Sequence, residues 1–175
     1  MADPASPAPI CPGDLAGSHL GLARERCLAG PTVLDSSLKV AQLGARNWGC
    51  RPHEVFIALH LDDHNRLLSA HEMGRGMLDQ VVVDPRVLFA GLLIAGGSGL
   101  IISHNHPSGD PGPSQDDAML TRTIEDGAEV LGIAFIDHLI VTGRPGPGGY
   151  YSFADNGRLA RGGGYRRGQR GPRWR

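Results

Sequence analysis

The sequence predicts a single α/β domain built on a mixed β-sheet. Apolar runs of strand length alternate with segments of helical periodicity, and Gly, Pro and Asp residues mark the boundaries between them. After a first helix, the predicted order is strand, strand, short extended segment, helix, strand, helix, strand, strand, which is typical of an α/β fold. A chain of 175 residues is long enough to bury a sizeable core in one such domain.

The first half of the domain is predicted to contain a helix and a β-hairpin. Asp35, Ser36 and Ser37 can cap a helix that runs toward Trp48. Residues 54–61 are apolar on both faces apart from Glu54 and His60, a pattern typical of a central strand. Residues 62–65 predict a turn and residues 66–73 a returning strand, which Gly74 and Gly76 are expected to interrupt, and residues 81–83 predict a short extended segment.

The second half alternates helices and strands. Asp84 and Pro85 predict the start of a helix that ends near Gly96, because Asp is a favoured cap and Pro a favoured first helical residue. The predicted elements that follow are a strand over residues 99–103, a helix over 114–131, a strand over 133–142 and a last strand over 150–153.

The two ends of the chain differ from the domain between them. Residues 1–31 are rich in Pro, Gly and Ala and predict a flexible lead-in, which leaves residues 32–157 for the domain. Residues 158–175 contain seven Arg and no acid, whereas the rest of the chain has ten basic and eighteen acidic residues. We favour a disordered tail. The alternative is a nucleic-acid contact, for which log K would fall with log salt at a slope of about −6 if all seven Arg met phosphates.

Composition excludes several other classes of protein. The three cysteines, Cys11, Cys27 and Cys50, contain no C-x-x-C pair and indicate no disulfide framework. No apolar run approaches the roughly 18 residues of a membrane span, and the Pro-rich N-terminus lacks a signal-peptide core. We therefore expect a cytoplasmic protein without membrane contact.

A pair of histidines follows the predicted strand over residues 99–103. Side chains two residues apart on a strand point to the same side, so His104 and His106 can present both imidazoles to one point. Pro107 favours an extended conformation at His106, which supports this pairing. Taken alone, two histidines are more often hydrogen-bonded core residues than metal ligands.

Asp117 supplies a third candidate ligand. If Ser114 caps the following helix, Asp117 stands at its third position and can serve simply as part of the cap. That role is compatible with a carboxylate oxygen that also faces the histidines. Two His, one Asp and an open fourth position are typical of a catalytic zinc site, where zinc lowers the pKa of a bound water from about 15.7 toward 7.

Such a site needs a group that transfers protons. Glu54, an acid at the start of an apolar strand, and Glu72 on the next strand are both candidates. We favour Glu54, because burial would raise its pKa toward a useful value, and Glu72 is a rival base. The spacing alone fits a solvated Glu54 at the strand entrance equally well. His138 follows Asp137 within a predicted strand, and we interpret it as a hydrogen-bonded core histidine rather than a fourth ligand.

The spacing of His104, His106, Ser114 and Asp117 resembles the JAMM signature of the MPN/JAB metallopeptidases. The flanking residues are more closely similar to the RadC-like group of that family over residues 36–157. The segments that carry the resemblance are His104-Asn105-His106-Pro107-Ser108-Gly109, Pro113-Ser114-Gln115-Asp116-Asp117, Asp137-His138-Leu139-Ile140-Val141 and Tyr151-Ser152-Phe153.

The resemblance implies a JAB/MPN-like, cytidine-deaminase-like mixed sheet flanked by helices. It implies zinc held by His104, His106 and Asp117, with Glu54 as general base and then acid. Ser114 would help to polarise the carbonyl and stabilise the oxyanion. The implied reaction is hydrolysis of a peptide or isopeptide bond in a protein substrate.

Two other functions remain as alternatives. The chain could be a non-catalytic adaptor that binds nucleic acid through residues 158–175, or a scaffold that zinc only stabilises. A zinc deaminase is excluded, because the His-x-Glu and Pro-Cys-x-x-Cys segments of those enzymes are missing.

Overall fold

The computed structural model describes residues 32–76 and 83–160 of the chain. Within them, the helices and strands follow one another as the sequence predicts. The elements are α1 (Ser37–Asn47), β1 (Glu54–Leu61), β2 (Leu67–Gly76), α2 (Pro85–Ile94), β3 (Gly99–Asn105), α3 (Gln115–Leu131), β4 (Ala134–Val141) and β5 (Tyr150–Ser152).

The strands form one sheet in the order β2-β1-β3-β4-β5. β3 and β4 run parallel, whereas the neighbours β1–β2, β1–β3 and β4–β5 are antiparallel. The predicted mixed sheet is therefore confirmed. α3 connects the two parallel strands, as such a crossover requires. A short loop leads from the carboxyl end of β3 to the start of α3, so these two ends lie close together.

Helices cover both faces of the sheet, and β1 contributes apolar side chains to the core on each face. Its residues Val55 and Ile57 belong to the core cluster on the α1 side, which includes Val40 and Trp48. Its residue Phe56 belongs to the opposite cluster, which α2 and α3 complete. Because alternate residues of a strand point to opposite faces, a strand covered on both sides is apolar throughout. Each fully buried large apolar side chain contributes about 1.5–3 kcal/mol.

Local signals set the helix boundaries. Asp84 accepts a hydrogen bond from the backbone N–H of Arg86 at the start of α2, and Pro85 is the first helical residue. Gly132 ends α3 with a φ of 68°, a left-handed conformation that glycine adopts without strain. Both boundaries agree with the sequence prediction.

The prediction that Gly74 and Gly76 interrupt the second strand is wrong. Gly74 pairs with Phe56 and Gly76 with Glu54, so β2 continues through both glycines. The partners of β1 shift between Phe56 and Ile57, and this irregularity leaves an extra residue on β2, as in a β-bulge. Pairing with β1 satisfies the backbone there and outweighs the weak strand preference of glycine.

Some predictions concern residues outside the described ranges. The lead-in over residues 1–31, residues 81–82 of the extended segment and residues 161–175 of the basic tail all belong to this group. The first three tail residues are described, and they pack on the domain. Leu159 is buried, and the backbone N–H of Arg158 donates to Phe153. Within the described part of the chain, none of the helices has the length and apolar character needed to cross a membrane.

Candidate metal centre

The end of β3 brings the two histidines together. His104 lies within the strand, paired with Phe56 on β1 and Ile140 on β4. His106 follows the strand directly, and its backbone N–H donates to Val141. Both rings are buried, and their Nε2 atoms lie 3.1 Å apart. The predicted convergence of the two imidazoles is present in the structure.

Asp117 joins the pair from the first turn of α3. Its Oδ1 lies 3.2 Å from Nε2 of His104, and its Oδ2 lies 3.8 Å from Nε2 of His106. The short loop between β3 and α3 produces this approach.

The same carboxylate closes the helix cap. Ser114 donates its backbone N–H and its hydroxyl to Oδ2 of Asp117, at 2.8 and 2.7 Å. In return, Ser114 Oγ accepts the backbone N–H of Asp117 at 3.1 Å. The capping role and the position beside the histidines therefore coexist, as the sequence suggested. A further consequence is that the hydroxyl proton of Ser114 points to Asp117 in this structure.

Glu54 also lies beside His106. It is the first residue of β1, its side chain is mostly buried, and its Oε1 lies 3.5 Å from Nε2 of His106. Glu72 lies elsewhere, opposite Ile57 on β2. Among the described residues, Glu54 and not Glu72 forms a group with His104 and His106 whose ligand atoms lie within 4.8 Å of one another.

Asn105 holds the start of β1 against the histidines, a role that the sequence did not predict. It is fully buried, and its Oδ1 accepts the backbone N–H of Val55 at 2.8 Å. Its Nδ2 donates to the carbonyl oxygens of Arg51 and His53 at 3.2 and 3.1 Å. The residue between the two histidines thus fixes the backbone on both sides of Glu54. An uncharged amide inside an apolar strand is the signal that could have revealed it.

Nδ1 of His106 is bound to the loop that follows it. It lies 2.8 Å from the carbonyl oxygen of Asp110. Because a carbonyl oxygen only accepts, Nδ1 of His106 carries a proton. In the neutral ring, the lone pair then lies on Nε2, which faces Glu54 and Asp117. Asp110 uses its own carboxylate to accept the backbone N–H of Gly112, and Asp116 is exposed, so neither carboxylate faces the histidines.

His138 is a buried, hydrogen-bonded histidine, as the sequence indicated, and its ligand atom also lies within 4.8 Å of those of His104 and Asp117. It is fully buried on β4, with Nε2 lying 3.0 Å from Nδ1 of His104 and Nδ1 lying 2.7 Å from Oγ1 of Thr121. Burial, followed by the neighbouring charge of His104, holds the pKa of His138 well below its ordinary value. The ring is neutral at physiological pH.

The electrostatics of Asp117 favour a charged carboxylate. Burial acts to raise its pKa, but hydrogen bonds and charge interactions with His104, together with the bonds from Ser114, lower it well below the ordinary value. Two imidazole nitrogens and carboxylate oxygens are also the ligands that zinc takes in proteins. The donor atoms of His104, His106 and Asp117 therefore fit a zinc ion.

Two more histidine clusters lie away from this centre. Asp62, Asp63 and His64 come together in the hairpin turn between β1 and β2, where Asp63 and His64 are exposed. His60 is fully buried under Gly91 of α2, and its ring centroid lies 5.0 Å from that of His71, which is partly buried. This pair concerns stability.

Comparison with known proteins agrees with this architecture. Residues 34–158 match the model of the RadC-like JAB domain family. The chain is 41% identical over 106 residues to a UPF0758 protein of Trichlorobacter lovleyi. These residues make up 61% of this chain and 44% of the relative. A UPF0758 protein of Aromatoleum aromaticum is 41% identical over 71% of this chain and 56% of the relative. A UPF0758 protein of Thermotoga maritima is 35% identical over 74% of this chain and 56% of the relative. The chain spans about half the length of the curated relatives that it matches, and it belongs to the RadC-like JAB domain family.

Proposed function

We propose that this domain is a zinc-dependent metallohydrolase, most simply a metallopeptidase or isopeptidase of the JAMM type. The observation that carries the proposal is the convergence of Nε2 of His104, Nε2 of His106 and the carboxylate of Asp117, with Glu54 beside them. A structural zinc site is closed by four protein ligands, whereas three ligands leave a position for water and substrate.

The three proposed ligands come from a rigid part of the fold. His104 is fixed by the β1 and β4 ladders, His106 by the loop carbonyl of Asp110, and Asp117 by the cap of α3. Such external bonds orient ligands and limit the reorganisation that metal binding would require. A zinc ion bound here would act as a Lewis acid and make a water molecule easier to deprotonate.

Glu54 is the proposed proton carrier. Its carboxylate lies next to His106 but outside the set of three ligands, and its position depends on the backbone that Asn105 holds. A carboxylate there can take a proton from the attacking water and return it to the leaving amine. Those two transfers are what hydrolysis of an amide bond needs from a general base and acid.

Ser114 is the proposed stabiliser of the developing oxyanion. It is exposed at the N-terminus of α3, where the unpaired backbone N–H groups favour negative charge. Its hydroxyl donates to Asp117 in this structure, so its role in catalysis requires that the hydroxyl rotate toward the substrate. The cap bond from Asp117 N–H would survive that rotation, because it uses Ser114 Oγ as the acceptor.

The membership in the JAB family supports hydrolysis, and the choice of a peptide or isopeptide substrate rests on the JAMM resemblance. The test is to incubate zinc-loaded full-length chain with fluorogenic libraries of linear peptides and of lysine-linked isopeptides. We expect the wild type to cleave members of one library, and we expect the Glu54→Gln substitution to abolish this cleavage. Cleavage that proceeds equally in Glu54→Gln would contradict the proposed mechanism.

A second candidate function uses the basic end of the chain, because the seven Arg from 158 to 175 contrast with an acidic remainder. In this alternative, the domain is an adaptor that contacts nucleic acid. Because Leu159 is part of the core, the deletion should begin at residue 161. An adaptor without residues 161–175 should lose binding to a labelled duplex, whereas a metallohydrolase should keep its hydrolytic activity.

A further inference from the structure

His104 is linked to α3 through a chain of side chains that the proposed ligand set does not include. Thr121 lies one turn after Asp117 on the same helix and is buried. Its Oγ1 contacts His138, and His138 contacts His104. We infer that Thr121 and His138 are positioning residues that keep the proton of His104 on Nδ1 and leave Nε2 free to bind the metal. The inference rests on the proposed zinc site.

The direction of the first hydrogen bond is set at Thr121. Its Oγ1 lies 2.6 Å from the backbone carbonyl oxygen of Asp117. A carbonyl oxygen has no proton to give, so the single hydroxyl proton of Thr121 points to it. The contact of 2.7 Å between Thr121 Oγ1 and Nδ1 of His138 must then be a bond that the histidine donates.

This direction fixes the proton of each histidine in turn. Full burial favours the neutral form of His138. A neutral ring that carries its proton on Nδ1 holds a lone pair on Nε2. That lone pair lies 3.0 Å from Nδ1 of His104, which must therefore be the donor. Metal binding would replace the proton that Nε2 of a charged His104 donates to Asp117, because in the neutral ring with its proton on Nδ1 the lone pair lies on Nε2, the atom that faces His106 and Asp117.

Aromatic packing keeps the two rings in this arrangement. Phe153 stacks on His138 with centroids 4.9 Å apart and planes 6° apart. Phe56 lies near-parallel to His104 at 5.9 Å. Because His138 is fully buried and stacked on Phe153, its nitrogens can bond to Thr121 and His104 but not to solvent, and this preserves the hydrogen-bonded relay. The relay also argues against His138 as a zinc ligand, because its Nε2 is already an acceptor.

One helix thus supplies two parts of the site. The first turn of α3 carries Asp117 as a ligand, and the next turn carries Thr121, which orients a second ligand through His138. Buried partners of metal-binding histidines commonly have this effect, and their loss weakens metal binding by about 10- to 100-fold.

The chain offers a matched set of variants. Thr121→Val keeps the shape but leaves Nδ1–H of His138 without an acceptor. The His138 tautomer protonated on Nε2 then becomes favourable. Its proton would point to His104 Nδ1, move the His104 proton to Nε2 and block the metal. Thr121→Ser restores the hydroxyl. Thr123 is the control, because its Oγ1 donates to Met119 in the same way at 3.0 Å but is exposed.

Zinc affinity, measured on the full-length chain by competition with a chelating dye, tests the inference. We expect Thr121→Val to bind zinc about 10- to 100-fold more weakly, with Thr121→Ser and Thr123→Val close to the wild type. Equal affinity of Thr121→Val and the wild type would overturn the relay while leaving the proposed zinc site intact. A wild-type chain that binds no zinc would instead overturn the proposed function.

A second measurement needs no variant. Long-range ¹H–¹⁵N spectra of the wild-type chain assign the proton of each histidine ring. The relay predicts that His138 carries one proton, on Nδ1, and that Nδ1 of His104 is protonated. A His138 protonated on Nε2 would overturn the inference whatever the zinc affinities.

Discussion

Ser114 and Asp117 bond to each other in both directions at the start of α3, and the carboxylate that closes this cap also lies 3.2 Å from His104. The cap holds Asp117 in one rotamer before any metal binds. Consequently, the sequence features that begin the helix also build the proposed ligand set.

Asp117→Asn should separate these two roles. The amide oxygen can still accept the cap bonds from Ser114, so the helix cap should persist. The loss of the charged contact with His104 should lower the free energy of unfolding by about 1–3 kcal/mol. An amide is a much poorer zinc ligand than a carboxylate, so zinc content should fall well below one equivalent. Urea denaturation and metal analysis measure the two effects. Asp116→Asn is the exposed control, and full zinc retention in Asp117→Asn would remove this residue from the site.

Glu54→Gln should retain zinc and lose turnover. Glu54 lies beside His106 without belonging to the three proposed ligands, so about one equivalent of zinc should remain. Loss of the proton carrier should lower kcat by about 10²- to 10⁴-fold. The matched control is Glu72→Gln on β2, which should keep its activity. If Glu72→Gln were inactive and Glu54→Gln active, the assignment of the base would be reversed.

Asn105→Ala should destabilise the fold. The substitution leaves the backbone N–H of Val55 and the carbonyl oxygens of Arg51 and His53 without this partner. We expect a loss of about 2–4 kcal/mol, since three buried or part-buried hydrogen bonds disappear. Chemical denaturation measures it. If Asn105→Ala lost less free energy of unfolding than the exposed variant Asn156→Ala, the Asn105 amide would not be needed to hold β1.

His60 should make the fold sensitive to acid. Burial, with a smaller contribution from His71, lowers the pKa of His60 to about 3, and burial also lowers the pKa of His71. The unfolded chain therefore binds protons near pH 6.5 that the folded chain does not, and stability falls as the pH drops from about 6.5 toward 3. For His60, the slope approaches about 1.4 kcal/mol per pH unit between these two pKa values.

Denaturation between pH 4.5 and 7 in the presence of a chelator measures this slope. His60→Gln should have a shallower slope than the wild type, whatever its absolute stability. His64→Gln, in the exposed hairpin turn, should leave the slope unchanged. Identical slopes in the wild type and His60→Gln would contradict the account.

The features that the sequence predicted depend on short-range geometry. The alternation of a strand brings His104 and His106 together, and the spacing from an N-cap to the third helical residue identifies Asp117. Both rules hold within a few residues, so they need no knowledge of the sheet. The mixed sheet was predicted from the order in which helices and strands follow one another along the chain.

The features that the residues alone did not predict depend on pairing between distant segments. The antiparallel register that places Phe56 opposite His104 brings Glu54 beside His106, whereas spacing alone fitted a solvated Glu54 equally well. The resemblance to the JAMM signature then placed Glu54 well above its rival Glu72. The continuation of β2 through Gly74 likewise depends on its partner strand.

Thr121 was missed because its partner lies on β4, and the contact depends on how α3 crosses the sheet. A signal was present, however. Thr121, Ile124 and Ala128 share the buried face of α3, so a hydroxyl stands among apolar residues where it needs a partner.

The central claim is that His104, His106 and Asp117 bind zinc, and the zinc content of the purified chain tests it most directly. Metal analysis of the wild type should give about one equivalent of zinc per chain. A His104→Ala, His106→Ala double variant should contain almost none. Circular dichroism would confirm that the variant is folded. A folded double variant that retains the same zinc content as the wild type would contradict the account.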